Sequence, residues 1–288
     1  MTEDHDAPRL PRWAMAGAHD DPAVAGFRAG AALMALEQML ARPGLPGALL
    51  RDRLAMEAAE ACLRRAGRPE RMAGLRDEVH LLRPGERPGP GGAMVETWRA
   101  AAGRRLRRGG ATAALPPDLP SDLPDAPVAR AEAVLDARLE ADPRAQAAAL
   151  IEAEGVLSAA LGWSHPLPLL AAHLGRADLR DLPSLESSCL RAVARAASQI
   201  LPLAAELERR AARLRAVAPK LRAKASDAAV ALFLSQDALS PARALSPVVQ
   251  GSRARMSDRA ARRLCDRLVE LGAIRELSGR DSFRIYGL

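Results

Sequence analysis

Apolar positions recur three and four residues apart through most of the chain, and short breaks of Pro and Gly separate the runs. The first such run, Pro22 to Ala41, is stopped by the RPGLPG of residues 42–47. A second helix is expected from about Ala48 to Ala66, ended by Gly67, and a third has Pro69 at its start and lasts to about Leu82. Residues 83–92, RPGERPGPGG, read as a loop, and a short helix around Trp98 follows, ending in the basic run RRLRR at 104–108. Prolines at 116, 117, 120, 124 and 127 forbid helix there and mark the clearest internal boundary. Helices resume at about Val128–Ala141 and Pro143–Leu161, then GWSHPLPLLAAHLG forms a Pro-marked corner with a short helix. A long helical stretch runs from Ser184 to about Val217, interrupted or kinked at Pro202.

The last seventy or so residues change character. Ser226–Ser235 supplies one helix and Ser240 with Pro241 starts another. Ser257–Leu271 has Ser257 as N-cap, Asp258 against the positive helix end and Gly272 as stop. At 100° per residue Ala261, Leu264, Leu268 and Leu271 share one side, whereas Arg259, Arg262, Arg263, Asp266 and Glu270 share the other, with Arg267 at its edge. Two short strands follow, about Ile274–Leu277 and Ser282–Tyr286, joined by Ser278, Gly279, Arg280 and Asp281. The fold class expected is therefore mainly α: a multi-helical body carrying a C-terminal winged helix-turn-helix with a small β-hairpin. Its regions are a flexible tail at 1–21, an N-terminal helical region at 22–110, a Pro-rich linker at 111–127, a central helical region at 128–217 and the winged helix at 218–288. One departure from an ordinary motif is the SPVVQGSRARMS of residues 246–257, much longer than the three- or four-residue turn of a compact helix-turn-helix.

Composition supports helix over strand, since the chain of 288 residues is 49% hydrophobic but only 2% aromatic and the apolar mass is mostly Ala and Leu. Cys62, Cys189 and Cys265 are odd in number and far apart, which fits reduced thiols in a cytoplasm. The acidic N-terminus has no signal-peptide core, and the longest apolar run, Val156–Leu174, is broken by Trp, Ser, His and Pro, so a soluble protein is expected with no membrane span. The net charge of +7 is unevenly placed: residues 209–288 hold 17 Lys and Arg against 7 Asp and Glu, leaving the remainder at −3. Such an excess at one end suggests a polyanionic partner.

These features meet on one helix. Guanidinium groups on a helix that fits the major groove can fork onto guanine edges or phosphate oxygens. Arg259, Arg262, Arg263 and Arg267 are expected to approach double-stranded DNA at the groove, and Arg280 and Arg284, with Arg275 near them, at the flanking backbone or minor groove. The competing reading of the same face is a solvated surface, or a winged helix that docks a protein. The sequence is compatible with a homodimer or a protein partner.

SDRAARRLCDRLVELGAIRELSGRDSFRIYGL resembles the winged-helix tails of Fic-type proteins, in which a serine-capped helix precedes "GAIRE", an "SGR" turn and a closing strand. The whole chain is similar to an uncharacterised bacterial family of Ala- and Arg-rich helical proteins, a domain of unknown function, through PRWA, LGWSHPLPLLAAHL, VAPKLRAK and the C-terminal segment. That resemblance implies no activity, and the His-Pro-Phe and Gly-rich anion loop of Fic catalysis do not occur.

The remaining chemical candidates read as structural. His165 and His173 lack ligand partners at metal spacing, Asp77 and His80 form a single pair three apart, and Glu152 and Glu154 face different sides of a helix. RPGERPGPGG lacks the Gly-Lys-Ser/Thr of a phosphate loop. Trp13, Trp98 and Trp163 are expected as core anchors. The expectation is thus a non-enzymatic, cytoplasmic DNA-binding protein with no cofactor and no metal, or alternatively a helical interaction scaffold.

Overall fold

The computed structural model describes residues 8–17, 21–82, 85–106, 123–221 and 225–288. It is mainly helical: α1 (Pro22–Leu40), α2 (Gly47–Arg65), α3 (Met72–His80), α4 (Pro90–Gly103), α5 (Pro127–Ala141), α6 (Gln146–Ala160), α7 (Leu185–Val217), α8 (Ser226–Phe233) and α9 (Asp258–Glu270), closed by a short antiparallel pair, β1 (Arg275–Glu276) and β2 (Tyr286–Gly287). Among the described residues no helix is long and apolar enough to cross a membrane.

Local chemistry accounts for the start of α1, whereas α3, expected to open at Pro69, begins at Met72. Asp21 caps α1, its carboxylate accepting from the Val24 amide at 2.9 Å, and Pro22 fills the first turn, where its missing N–H costs nothing. The same logic explains why α4 begins at Pro90, inside the stretch expected to be loop: Pro occupies the first turn, and Glu78 of α3 reaches across to accept from the Gly92 amide at 2.7 Å. Glycine is required there, because a Cβ on Gly91 or Gly92 would sit within 3 Å of Leu75, Glu78 or Pro88. α7 continues through Pro202 as one helix of 33 residues, about 50 Å long. Its buried stripe is dominated by Ala (192, 196, 197, 204, 211), so α1 and α5 can lie close against it. α2 packs on α4, and α5 on α6.

Elements from both ends of the chain share one continuous apolar core, from Leu10 and Ala14 to Tyr286 and Leu288. The stretch expected as a flexible tail includes a 3-10 turn, Arg12–Ala14, that sets Leu10 and Ala14 into this core. Residues 111–122 of the expected linker lie outside the described residues. Trp98 is fully buried, but Trp13 is 57% exposed and stacks on Phe27 with ring centroids 5.6 Å apart, and Trp163 is half-buried with its Nε1 donating to Glu37. The three cysteines are free and buried.

The Pro-marked corner after α6 lacks the short helix expected of it, since Pro166 and Pro168 interrupt the backbone donors, and side chains supply what its backbone lacks. Glu154 accepts from the amides of Leu170 and Ala171 at 2.6 and 3.0 Å, Ser158 accepts from Leu167 at 3.1 Å, and Arg65 donates to the carbonyls of Ala171 and Leu174 at 2.6 and 2.8 Å. Burial pushes the Glu154 carboxyl up to about 7, against the amides that favour its charged form.

A second polar cluster joins the ends of the chain. Asp237, fully buried, accepts from Arg53 Nε at 2.7 Å and from Arg76 Nε and Nη2 at 2.6 and 3.1 Å, while its own amide donates to Asp52 at 2.7 Å. Arg53 also reaches the Leu288 carbonyl at 3.3 Å. Burial alone would raise the Asp237 carboxyl, but the hydrogen bonds and charges of Arg76 and Arg53 outweigh it and hold it below the ordinary carboxylate value.

Asp237→Ala removes the buried carboxylate that both guanidiniums share, and should lower unfolding free energy by about 3–5 kcal/mol in denaturant titration; a loss under about 1 kcal/mol would show that the clamp does not hold the C-terminal segment. Glu154 gives a pH signature of opposite sign to an ion-paired acid. Its folded value near 7 lies above the ordinary 4.5, so the folded state holds a proton that the unfolded chain releases, and its stabilisation is present below pH 4.5 and lost as pH rises through 7. Glu154→Gln does not titrate, so its stability relative to wild type should climb from pH 4.5 to 7 and level off above; a flat difference would mean the carboxylate is already charged when folded.

Candidate nucleic-acid interface

The C-terminal segment is built from three short helical pieces and three extended ones. After α8, Leu239 pairs with Tyr286 in an antiparallel bridge, with hydrogen bonds of 2.8 and 2.9 Å in both directions. A five-residue π-helical turn, Pro241–Leu245, follows, and then α9. Tyr286 is paired on its other side with Glu276, so the extended positions lie side by side in the order 276, 286, 239.

The long connection 246–257 is a hairpin of its own, closed by the Val248–Arg255 bridge and the Val249 amide to the Ala254 carbonyl at 2.9 Å. Gly251 turns it at φ 74°, a backbone conformation that a side chain disfavours. The surplus length between the two helical pieces is thereby folded away.

α9 is as its sequence dictates. Ser257 accepts from the Ala260 amide at 3.2 Å, and Gly272 takes φ 61° just past the end. Ala261, Leu264, Cys265 and Leu268 are buried, whereas Arg259, Arg262, Arg263, Asp266, Arg267 and Glu270 are exposed. The hairpin after it is shorter than its pattern suggested, because Phe283 takes φ 55° and interrupts the extended run, and the second strand starts at Tyr286 instead of Ser282.

The six arginines singled out in the sequence do not act alike. Arg262 pairs with Asp258 at 2.6 Å and Arg267 with Glu270 at 3.0 Å, both within the helix. Arg259 and Arg263 have no ion-pair partner among the described residues. Arg280, expected at the tip of the wing, is held by the body: its two Nη atoms fork onto Asp77 of α3 at 2.5 and 2.9 Å. Arg284 folds back to the Arg280 carbonyl at 3.1 Å and lies 3.9 Å from Glu276. Arg253 and Arg255, not singled out in the sequence, are exposed just before α9. The positive charge therefore concentrates around the N-terminal half of α9, whereas Asp266 and Glu270 offset Arg267 in the other half.

Asp77 and His80, adjacent on α3, part company. Asp77 serves Arg280, and His80 lies 3.5 Å from Arg99 on the other side of the clamp, where burial first, and then the charge of Arg99, lowers it to about 4. Glu152 pairs with Arg138 while Glu154 points into the core. Among the described residues no three His, Cys, Asp or Glu side chains gather to hold a metal ion. The clamp of Arg53, Arg76 and Asp237 escaped the sequence reading. Asp237 lies 184 and 161 residues from Arg53 and Arg76, and its only local signal is an acid between helices.

No curated protein and no solved structure matches the chain. A family model matches residues 1–288, and the chain belongs to the family described as protein of unknown function (DUF1403).

Proposed function

We propose that residues 226–288 form a winged helix and that this protein is a non-enzymatic, DNA-binding protein, with α9 entering the major groove. The observation that carries the reading is the order of elements: helix, extended residue, helical turn, helix, strand, loop and strand, with a small hairpin inserted before the last helix and the extended positions ordered 276, 286, 239. Apart from that insertion the order is that of a winged helix, whose third helix presents its N-terminal end to base edges. Here that end carries Arg259 and Arg263, which have no ion-pair partner among the described residues while Asp258 is taken by Arg262, flanked by Arg253 and Arg255. Arg280 leaves the proposed contact set because Asp77 neutralises it.

A second reading, a winged helix that docks a protein, is favoured by Phe283, 72% exposed at a strained backbone position, and by the exposed Val248 and Val269. Exposed aromatic surface serves a protein interface better than a phosphate backbone.

A salt titration of duplex binding by fluorescence anisotropy separates the two. If about five phosphates are neutralised, log affinity should fall against log salt with a slope of roughly −4.5, and Arg259→Ala should reduce that slope by about one if it meets a phosphate. Arg259→Glu with Arg263→Glu should weaken binding at least tenfold with an unchanged circular dichroism spectrum, whereas Arg280→Ala should leave affinity as it was. Equal affinity of wild type and the double variant would sink the groove model and favour the docking surface.

A further inference from the structure

Arginines on the helical body are commonly matched by acids: Arg42 with Glu208, Arg99 with Asp52, Arg138 with Glu152. One cleft breaks that rule. It is a solvent-open groove where the end of α2, α4, the α5–α6 corner and the loop before α7 meet, with a volume of about 420 Å³, and is lined by Arg65, Arg144, Arg176 and Arg180 with no carboxylate among its walls. None of the four arginines forms an ion pair among the described residues.

Arg65 is the buried member, 8% exposed. Its Nη1 is spent on the carbonyls of Ala171 and Leu174, and its Nη2 donates to the Cys62 sulfur at 3.1 Å. Its Nε is buried with no hydrogen-bond partner among the described residues. Carbonyl dipoles and a thiol satisfy donors but do not cancel a charge, and a buried guanidinium without a counter-ion is costly. Arg176 donates to the main-chain oxygen of Arg65, which ties the loop arginine to the end of α2. The rest of the wall is uncharged and partly apolar, with Ala66, Met94, Pro143 and Ala147.

Four guanidiniums exceed what one carboxylate needs, and their planar forks match the oxygens of a phosphate dianion. The volume falls in the range of small-molecule sites, about 300–1,000 Å³, and the apolar wall suits a compact organic group. We propose that this cleft binds a phosphate-bearing small molecule, its phosphate among Arg65, Arg144, Arg176 and Arg180 and its organic part against Met94 and Ala147. This site is separate from α9 and does not depend on the DNA reading.

Inorganic pyrophosphate is the probe, titrated calorimetrically into the full chain, with sodium chloride balancing ionic strength. One saturable site per chain is expected. Arg144→Ala with Arg180→Ala removes two exposed side chains outside the core, so the unliganded melting temperature should hold while affinity drops at least tenfold; Arg180→Ala alone should show a smaller loss if the double variant folds poorly. Absence of saturable heat beyond the chloride control, or equal affinity in the variants, overturns the proposal. So does a result in which pyrophosphate fails to bind while the same substitutions weaken duplex binding, since the arginines would then serve nucleic acid. Retention of pyrophosphate binding in the Arg259→Glu, Arg263→Glu variant would show that the two sites are independent.

Discussion

A single buried carboxylate, Asp237, decides how the C-terminal segment meets the helical body. It sits at 0% exposure between guanidiniums from α2 and α3, and both of its oxygens are used. A charge in that position can exist only if its partners are in place, so the segment between α8 and the turn at Pro241 has one acceptable seat. Replacing such a cluster by apolar side chains would often cost little in stability, but an apolar contact slides where a forked ion pair does not. The clamp therefore contributes register more than energy, and the bridge that follows it, between Leu239 and Tyr286, inherits that register.

The same economy appears at the corner after α6. Prolines at 166 and 168 remove backbone donors and block helix, leaving amides and carbonyls to be met in an interior position. Glu154 and Ser158 from one side and Arg65 from the other take that role. One consequence is a carboxyl raised to about 7 in the centre of the body; another is an arginine whose donors are largely used while its charge is not balanced. The arginine-lined cleft is thus a by-product of holding an irregular segment, and a by-product that creates a positive field.

On the C-terminal segment the distribution of pairs reshapes a count of charges. The excess of basic residues there is a property of composition, but Asp258, Glu270 and Asp77 absorb Arg262, Arg267 and Arg280. These exposed pairs contribute little to stability, and they narrow the unpaired positive surface to the start of α9 and the hairpin before it. The Arg280 pair also fastens the loop after β1 to α3, so the C-terminal hairpin and the body are coupled through a contact neither would make alone.

The helices from α1 to α7, and α9 with its serine cap, its glycine stop and its two faces, were written in local sequence, because capping and a 3.6-residue apolar period act within a few residues. The arginine face of α9 was legible for the same reason. What local pattern could not determine was which arginines remain unpaired, since Asp77 reaches Arg280 across 203 residues of chain. Nor could it place α4 at Pro90, where the supporting carboxylate comes from another helix, or end the hairpin at Phe283, where a non-glycine residue takes a left-handed turn. The clamp at Asp237 and the cleft at Arg65 belong to tertiary structure altogether: each joins residues whose separation in sequence carries no periodic signal, and burial, which sets the strength of every charge in them, exists only once the helices have packed.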